Sequence, residues 1–340
     1  MTTNLGVKGL RSLPISVQNQ VYLPIWNTLT SRRPIGTNVF DLDWDLLIIL
    51  DTCRVDELRR SARKRPWLGN VGEIRSVGSM SAEWMLNTFT QHQADKIGET
   101  AFVSGNIWSH RIFEEQFHEH TDHGYDMVHC GIPKWDPVSA ETFAHYETVS
   151  AVANQNDPLH PKNDAIPHVL TDRTIAVARE HDFDRLIVHY TLPHLTFIAD
   201  ALDWSSGELT MMELMNGPEP VRDLRPAEVS YDPARQGKVK TETVRKHYRG
   251  NLQLALDYVE ILLQNIDAEQ TIISADHGEA LGELGVWGHP FGYPFSPVKT
   301  VPWASTTATD EGTYDPCYDS LERMPTESER EEFLKAMGYL

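Results

Sequence analysis

Asp51 ends the apolar run Leu46-Leu47-Ile48-Ile49-Leu50, and Asp276-His277 follows directly on Thr271-Ile272-Ile273-Ser274-Ala275. Carboxylate oxygens and an imidazole nitrogen are suitable ligands for a divalent cation. In an open α/β sheet, ligands bind outside the carboxyl ends of the strands, where both aspartates would fall. A strand-end aspartate also serves to cap the next helix, and for Asp51 alone that account is equally good. Asp276-His277-Gly278-Glu279, coming after such an apolar run, is much harder to explain by capping.

The elements that must position these groups are legible from apolar patterning. Unbroken apolar runs without polar alternation fit strands buried on both faces of a parallel sheet. Residues 45–50, 101–103, 185–190 and 271–275 read this way, and helical patterns cover 55–64, 171–181 and 243–266. In the last of these, Leu252, Leu256, Val259, Leu263 and Ile266 recur at spacings of three and four, a stripe for packing on a sheet. Helix and strand alternate, which indicates one doubly wound α/β domain over residues 1–340, with a mostly parallel sheet and helices on both faces. Residues 110–162 and 203–240 are longer than ordinary connections and are expected to be lid or substrate-binding insertions. Residues 328–335 read as an amphipathic C-terminal helix.

The 340 residues carry 30 Lys+Arg against 49 Asp+Glu, a net charge of −19. Such a field repels phosphates, so no nucleic-acid partner is expected and non-specific binding to anionic lipid is opposed. An anionic substrate then needs local positive charge, which a bound cation supplies. Cys53, Cys130 and Cys317 are scattered and lack CxxC spacing, against both a disulfide framework and a cysteine-based zinc site. No apolar run in residues 1–27 suits a signal peptide, and no stretch approaches the ~18 apolar residues of a membrane span. A cytoplasmic chain without an integral membrane segment is the expectation. His110, His118, His120, His123 and His129 read as a solvated, titrating loop, and Trp135 and Trp204 as pocket lining or core.

Ser274-Ala275-Asp276-His277-Gly278-Glu279 resembles the metal-binding signature of the alkaline-phosphatase/sulfatase superfamily. Ile49-Leu50-Asp51-Thr52 is similar to the superfamily's first strand with its terminal ligand, and the segment Ser76 to Trp84 lies where the nucleophile is placed. Tyr190-Thr191-Leu192-Pro193-His194 resembles the Pro-His segment that contacts substrate or metal. Trp287-Gly288-His289-Pro290 with Thr300-Val301-Pro302-Trp303 resembles the late histidine and Val-Pro strand. The matches follow family order over residues 45–303, and the chain looks most like small archaeal, haloarchaeal-type sulfatase-like proteins.

The resemblance implies an alkaline-phosphatase-like fold and a metal-dependent hydrolase of phosphate or sulfate esters working through a covalent serine intermediate. The metal ligands carried over are Asp51, Ser79, Asp276 and His277, for a divalent ion such as Mn, Zn, Mg or Ca. Ser79 is the implied nucleophile, being four residues before Glu83, and Ser81 is read as a helix cap. His194 and His289 are implied to bind the transferred group or protonate the leaving oxygen. Arg54 would pair with the anion or form a structural salt bridge. The Cys-x-Pro-Ser-Arg segment of formylglycine sulfatases is missing, so the serine is expected to act unmodified. Two-metal members carry Asp where Tyr190 stands, so one ion is favoured and a second remains open. The implied substrate is an anionic ester, a carbohydrate-linked one included. Transfer of a phospho-alcohol or sulfate group to a glycan or headgroup is an alternative, and a non-catalytic module retaining the fold is another.

Overall fold

The computed structural model describes residues 21–119, 129–149, 167–195, 197–199 and 231–317. Its helices are α1 (Leu23–Thr30), α2 (Val55–Ala62), α3 (Ser81–Thr88), α4 (Ala94–Ile97), α5 (Ile107–Phe113), α6 (Pro167–Glu180), α7 (Tyr231–Arg235) and α8 (Thr241–Leu263). Its strands are β1 (Leu46–Leu50), β2 (Val71–Arg75), β3 (Thr100–Ser104), β4 (His145–Thr148), β5 (Arg185–Tyr190), β6 (Ala268–Ser274), β7 (Ala280–Leu281), β8 (Trp287–Gly288) and β9 (Thr300–Ala308).

Seven strands form one sheet in the order β2-β9-β6-β1-β5-β3-β4. From β6 to β4 all pairings are parallel, while β9 runs antiparallel to both β6 and β2. The expected mostly parallel α/β sheet is borne out. Edge strand β2 and short β4 were not foreseen, because neither carries an unbroken apolar run. β1 lies between β5 and β6 with Ile49 level with both His189 and Ser274, so three carboxyl ends reach one edge together. The strand order reverses beside β1, which places the crevice there.

β1 is buried on both faces, and its side chains divide between two layers. Leu46, Ile48 and Leu50 join Leu252, Leu256 and Val259 of α8 and Leu170 of α6. Leu47 and Ile49 join Trp84 and Met85 of α3 with Phe89 and Phe102. Burying each such side chain contributes about 1.5–3 kcal/mol, so β1 is anchored far more firmly than its length suggests. Among the described residues no helix is long and apolar enough to cross a membrane. Trp204, His120, His123, the expected C-terminal helix, part of the first insertion and most of the second lie outside the described residues.

Lys299, just before β9, is fully buried, and its Nζ has no hydrogen-bond partner among the described residues. Burial lowers its pKa to about 8; the nearby Glu83 carboxylate opposes that shift and Arg75 reinforces it. The folded value lies below the unfolded 10.5, so between about 8 and 10.5 the unfolded chain binds more protons at this site. In that window this group makes the fold more stable as pH rises.

Ile48→Ala should cost about 2–5 kcal/mol in urea unfolding, because the packed layers close only partly over the lost volume. Lys299→Met should differ from the parent in a pH-dependent way. The unfolding free energy of the parent should gain on that of the variant as pH rises from about 8 to 10.5. A difference that stays constant across that window would show that Lys299 does not titrate on unfolding.

Candidate active site

β1, β5 and β6 deliver Asp51, His189 and Asp276 to one edge, and ligand atoms of all three lie within 4.8 Å of one another. All three are fully buried. One oxygen of Asp276 is fixed by the protein: Oδ1 accepts from the N–H of His277 (2.8 Å) and of Thr52 (3.3 Å). Its Oδ2 lies 3.3 Å from His277 Nε2 and 3.6 Å from His189 Nε2. His277 Nε2 is also 3.5 Å from Asp51 Oδ1. The His277 Nδ1–H donates to the Gly278 carbonyl (3.0 Å), which leaves the lone pair on Nε2, the nitrogen facing the carboxylates.

Asn106 completes the floor. As N-cap of α5 it accepts from the Trp108 N–H through Oδ1 (3.0 Å). Its Nδ2 donates to Asp51 Oδ2 (2.9 Å) and to Ser81 Oγ (3.0 Å). Ser81 Oγ stands 3.4 Å from both Asp51 Oδ2 and His277 Nε2. Ser81 is the first residue of α3, whose first helical hydrogen bond runs from the Trp84 N–H to the Met80 carbonyl (2.9 Å). Helix geometry therefore aims the preceding N–H groups of α3 past the serine.

The two serines exchange the places expected of them. Ser79 donates through both its N–H and its Oγ to Glu83 Oε2, each at 2.7 Å, and Glu83 Oε1 accepts from Trp26 Nε1 (2.6 Å). This is a variant of the capping box, with Glu83 in the third helical position reaching back to the backbone ahead of the helix. The Ser79–Glu83 spacing that pointed to a nucleophile is thus the spacing of a cap. Ser81 in turn makes no capping bond. It, and not Ser79, meets Asp51 and His277.

His194 and His289 join Glu279 in a second cluster, with ligand atoms again within 4.8 Å. The ring centroids of His194 and His289 are 5.0 Å apart, and those of His277 and His289 4.5 Å apart, so the two clusters adjoin. Glu279 lies 3.2 Å from His289 Nδ1 and accepts from the Tyr231 hydroxyl on α7 (2.9 Å). His194 Nδ1 bonds the Leu195 carbonyl. Tyr190 turns its hydroxyl to Thr171 (2.7 Å), yet Glu279 brings a carboxylate to the two histidines from a different strand end.

Burial, followed by the charges of Asp276 and Glu279, pushes the Asp51 carboxyl well above the usual carboxylate range. Burial also opposes ionisation of Asp276, but His277 and His189 outweigh it and hold that group low. Burial lowers His277 and His194 to about 4, assisted in each case by His289. Both rings are therefore neutral near pH 7, the form that coordinates metal. Burial raises Glu279, while the charge and hydrogen bond of His289 bring it below its ordinary value.

A divalent cation fits this donor set. Asp51 Oδ1, Asp276 Oδ2 and both His189 nitrogens are buried without a hydrogen-bond partner among the described residues. Buried polar atoms are otherwise almost always paired, so a convergent group of unpaired oxygens and nitrogens is a cation's environment.

Other expectations resolve differently. Arg54 binds Asp56 (2.8 Å), Glu283 (3.0 Å) and the Glu279 carbonyl (2.6 Å), so it is a structural salt bridge. His110 is buried on α5 beside Glu114 (3.0 Å) and Glu115 (3.4 Å), which corrects its reading as part of a solvated loop. Trp135 packs on the aromatic layer of the core. His189, Asn106, Glu279 and Tyr231 were missed as site residues. A histidine inside the apolar run of β5 was the one available signal, since burial of an imidazole requires a partner.

No family model and no curated protein matches the sequence. Solved structures similar to the chain include the soluble domain of lipooligosaccharide phosphoethanolamine transferase A from Neisseria meningitidis. That pair shares 14% identity over 76% of this chain and 75% of the other, with a TM-score of 0.43. A protein of the alkaline phosphatase superfamily from Vibrio parahaemolyticus is similar at 10% identity, covering 88% and 70%, with a TM-score of 0.36. Phosphonate monoester hydrolase of Agrobacterium radiobacter is similar at 11% identity, covering 77% and 68%, with a TM-score of 0.33.

Proposed function

We propose that the chain is a metal-dependent hydrolase of phosphate or sulfate esters, of the alkaline-phosphatase/sulfatase superfamily, with Ser81 as its nucleophile. The observation that carries this reading is the placement of a fully buried serine hydroxyl 3.4 Å from Asp51 and from His277, among carboxylate and imidazole atoms that lack partners. Asp51, Asp276 and His277, with His189 behind them, would hold a divalent cation. When bound it would supply Lewis acidity, lowering the pKa of the serine hydroxyl and polarising the ester's oxygens.

The chain's own groups carry the rest. Asn106 Nδ2 donates to one Ser81 lone pair and so orients the hydroxyl. The Ser81 proton has Asp51 Oδ2 in reach as acceptor, since the one lone pair of His277, on Nε2, would be given to the cation. The first N–H groups of α3 face the anionic group under attack, as helix N-termini do. Ser81 Oγ bonds to phosphorus or sulfur as the bond to the ester oxygen breaks, and His289, the most exposed of the cluster, protonates the departing oxygen. His194 and Glu279 position His289; together the three also offer ligands for a second ion.

Asp51→Ala and Asp276→Ala should each lose stoichiometric metal by elemental analysis, and turnover with it, while circular dichroism stays unchanged. Wild-type metal content in the Asp276 variant would refute the site.

A screen of phosphomonoester, phosphodiester and sulfate-ester substrates across Mn, Zn, Mg and Ca should reveal turnover that a chelator abolishes. In that assay Ser81→Ala should keep the metal and lose turnover on the order of 10³-fold or more. Ser79→Ala should retain turnover and lose about 1–3 kcal/mol of stability, the cost of a hydrogen bond to a charged acceptor. Acid quenching followed by peptide mass mapping should find the covalent adduct on Ser81. An adduct on Ser79 would reverse the assignment, and product analysis with an added alcohol acceptor separates hydrolysis from transfer.

A further inference from the structure

We propose that α1 and the loop bonded to it form a docking face for an anionic lipid surface. Charge distribution is the first observation. Residues 1–40 carry Lys8, Arg11, Arg32 and Arg33 and no carboxylate, in a chain whose net charge is −19. The segment is thus a local exception to a field that otherwise repels anionic lipid.

The second observation is an apolar stripe. α1 turns Leu23, Trp26, Asn27 and Thr30 inward. On its other face Ile25 is 56% exposed and Leu29 62%, with Val21 one turn earlier at 51%. Ile132, 72% exposed, is tied to the same face: its N–H donates to Thr28 Oγ1 (3.1 Å), and its carbonyl accepts from Arg32 (2.8 Å). These are four of the six large hydrophobic side chains exposed among the described residues, so the clustering is not the scatter of an ordinary surface. Arg32, Arg33 and Lys134 flank the stripe and are exposed.

An apolar face flanked by cations is the pattern that lies in a membrane interface, with apolar side chains in the acyl boundary and cations at anionic headgroups. Charge complementarity selects this occupant over a second copy of the chain. Self-pairing about a twofold axis would bring Arg32, Arg33 and Lys134 against their own equivalents, with Asp136 the one carboxylate in residues 129–139. The face is also rigidly joined to the interior. Trp26 Nε1 donates to Glu83 on α3 (2.6 Å), and the Tyr22 hydroxyl donates to the Gly292 carbonyl (2.6 Å), three residues after His289. A lipid surface held here is therefore held at a fixed distance from the candidate site.

Flotation with vesicles tests the proposal without any reference to catalysis. The full chain should float with vesicles of phosphatidylcholine plus phosphatidylglycerol, float little with phosphatidylcholine alone, and be released by salt. Ile25→Asp/Leu29→Asp should abolish flotation with an unchanged melting temperature, since both side chains already face water. Arg32→Glu/Arg33→Glu should weaken binding by roughly tenfold or more. The proposal is overturned if the parent chain does not float, or if the aspartate variant floats as well as the parent. It is equally overturned if light scattering finds self-association that the aspartate substitutions abolish, which would assign the face to a second copy.

Discussion

Two carboxylates of like charge, Asp51 and Asp276, are buried side by side where β1 and β6 end, with Glu279 close enough to affect both the pair and His289. Burying even one unpaired carboxylate costs several kcal/mol. His277, which faces the pair, does not fully cancel this charge, because burial drives it toward its neutral form. The fold therefore carries a deficit of positive charge at the centre of its carboxyl edge. A parallel core as firmly packed as the layers around β1 is what allows such a deficit to be held in place.

The surrounding polar network is arranged to hold this geometry without relieving the charge. Backbone N–H groups take one oxygen of Asp276 and leave the other facing inward. Thr52, which supplies one of those donors, sits at φ 67°, a conformation that β-branched residues rarely adopt. Ser76 Oγ donates to the Asp276 carbonyl and accepts from the Gly78 N–H (3.0 Å), joining the β6 end to the approach to α3. Gly278 allows the chain after His277 to pass close by its neighbours, since a Cβ there would lie 2.0 Å from the Pro297 carbonyl oxygen. Strain at Thr52 and a close approach at Gly278 are both confined to residues that flank the unpaired oxygens, as expected where geometry serves binding.

How much of this was legible depended on how local each signal was. Asp51 and Asp276-His277 were readable because each ends an unbroken apolar run, and the parallel pairing that makes them neighbours follows from the same runs. The stripe was readable for the same reason: Leu252, Leu256, Val259 and Leu263 on α8, with Ile266 just beyond its end, all lie in one core layer. Which serine lies beside Asp51 and His277 was not readable, because spacing along the chain does not distinguish a serine four residues before a capping glutamate from one that faces the site. Only the direction in which α3 points resolves the two. Asn106 gave no local signal, and Glu279, although part of the Asp276-His277-Gly278-Glu279 motif, was given no role, since both roles arise when β3, β6 and the segment after His277 converge. His110 was misplaced because a run of histidines and acids looks solvated until α5 packs one of them inside.

The remaining question is how so acidic a chain would hold an anionic ester. Two basic side chains of the neighbouring segments do not serve the site. Arg54 is consumed by Asp56, Glu283 and the Glu279 carbonyl. Lys299 is buried toward Glu83, and burial weakens its charge. Among the described residues, therefore, neither Arg54 nor Lys299 provides the attraction that an anion requires at this edge. What remains is the N-terminus of α3 and whatever cation the unpaired oxygens collect. The helix end contributes a fraction of a charge, while Asp51 and Asp276 place up to two negative charges beside it. An ester anion entering without a cation would meet net repulsion. The reading of this site as an ester hydrolase and its reading as a metal centre are consequently one claim, and neither stands without the other.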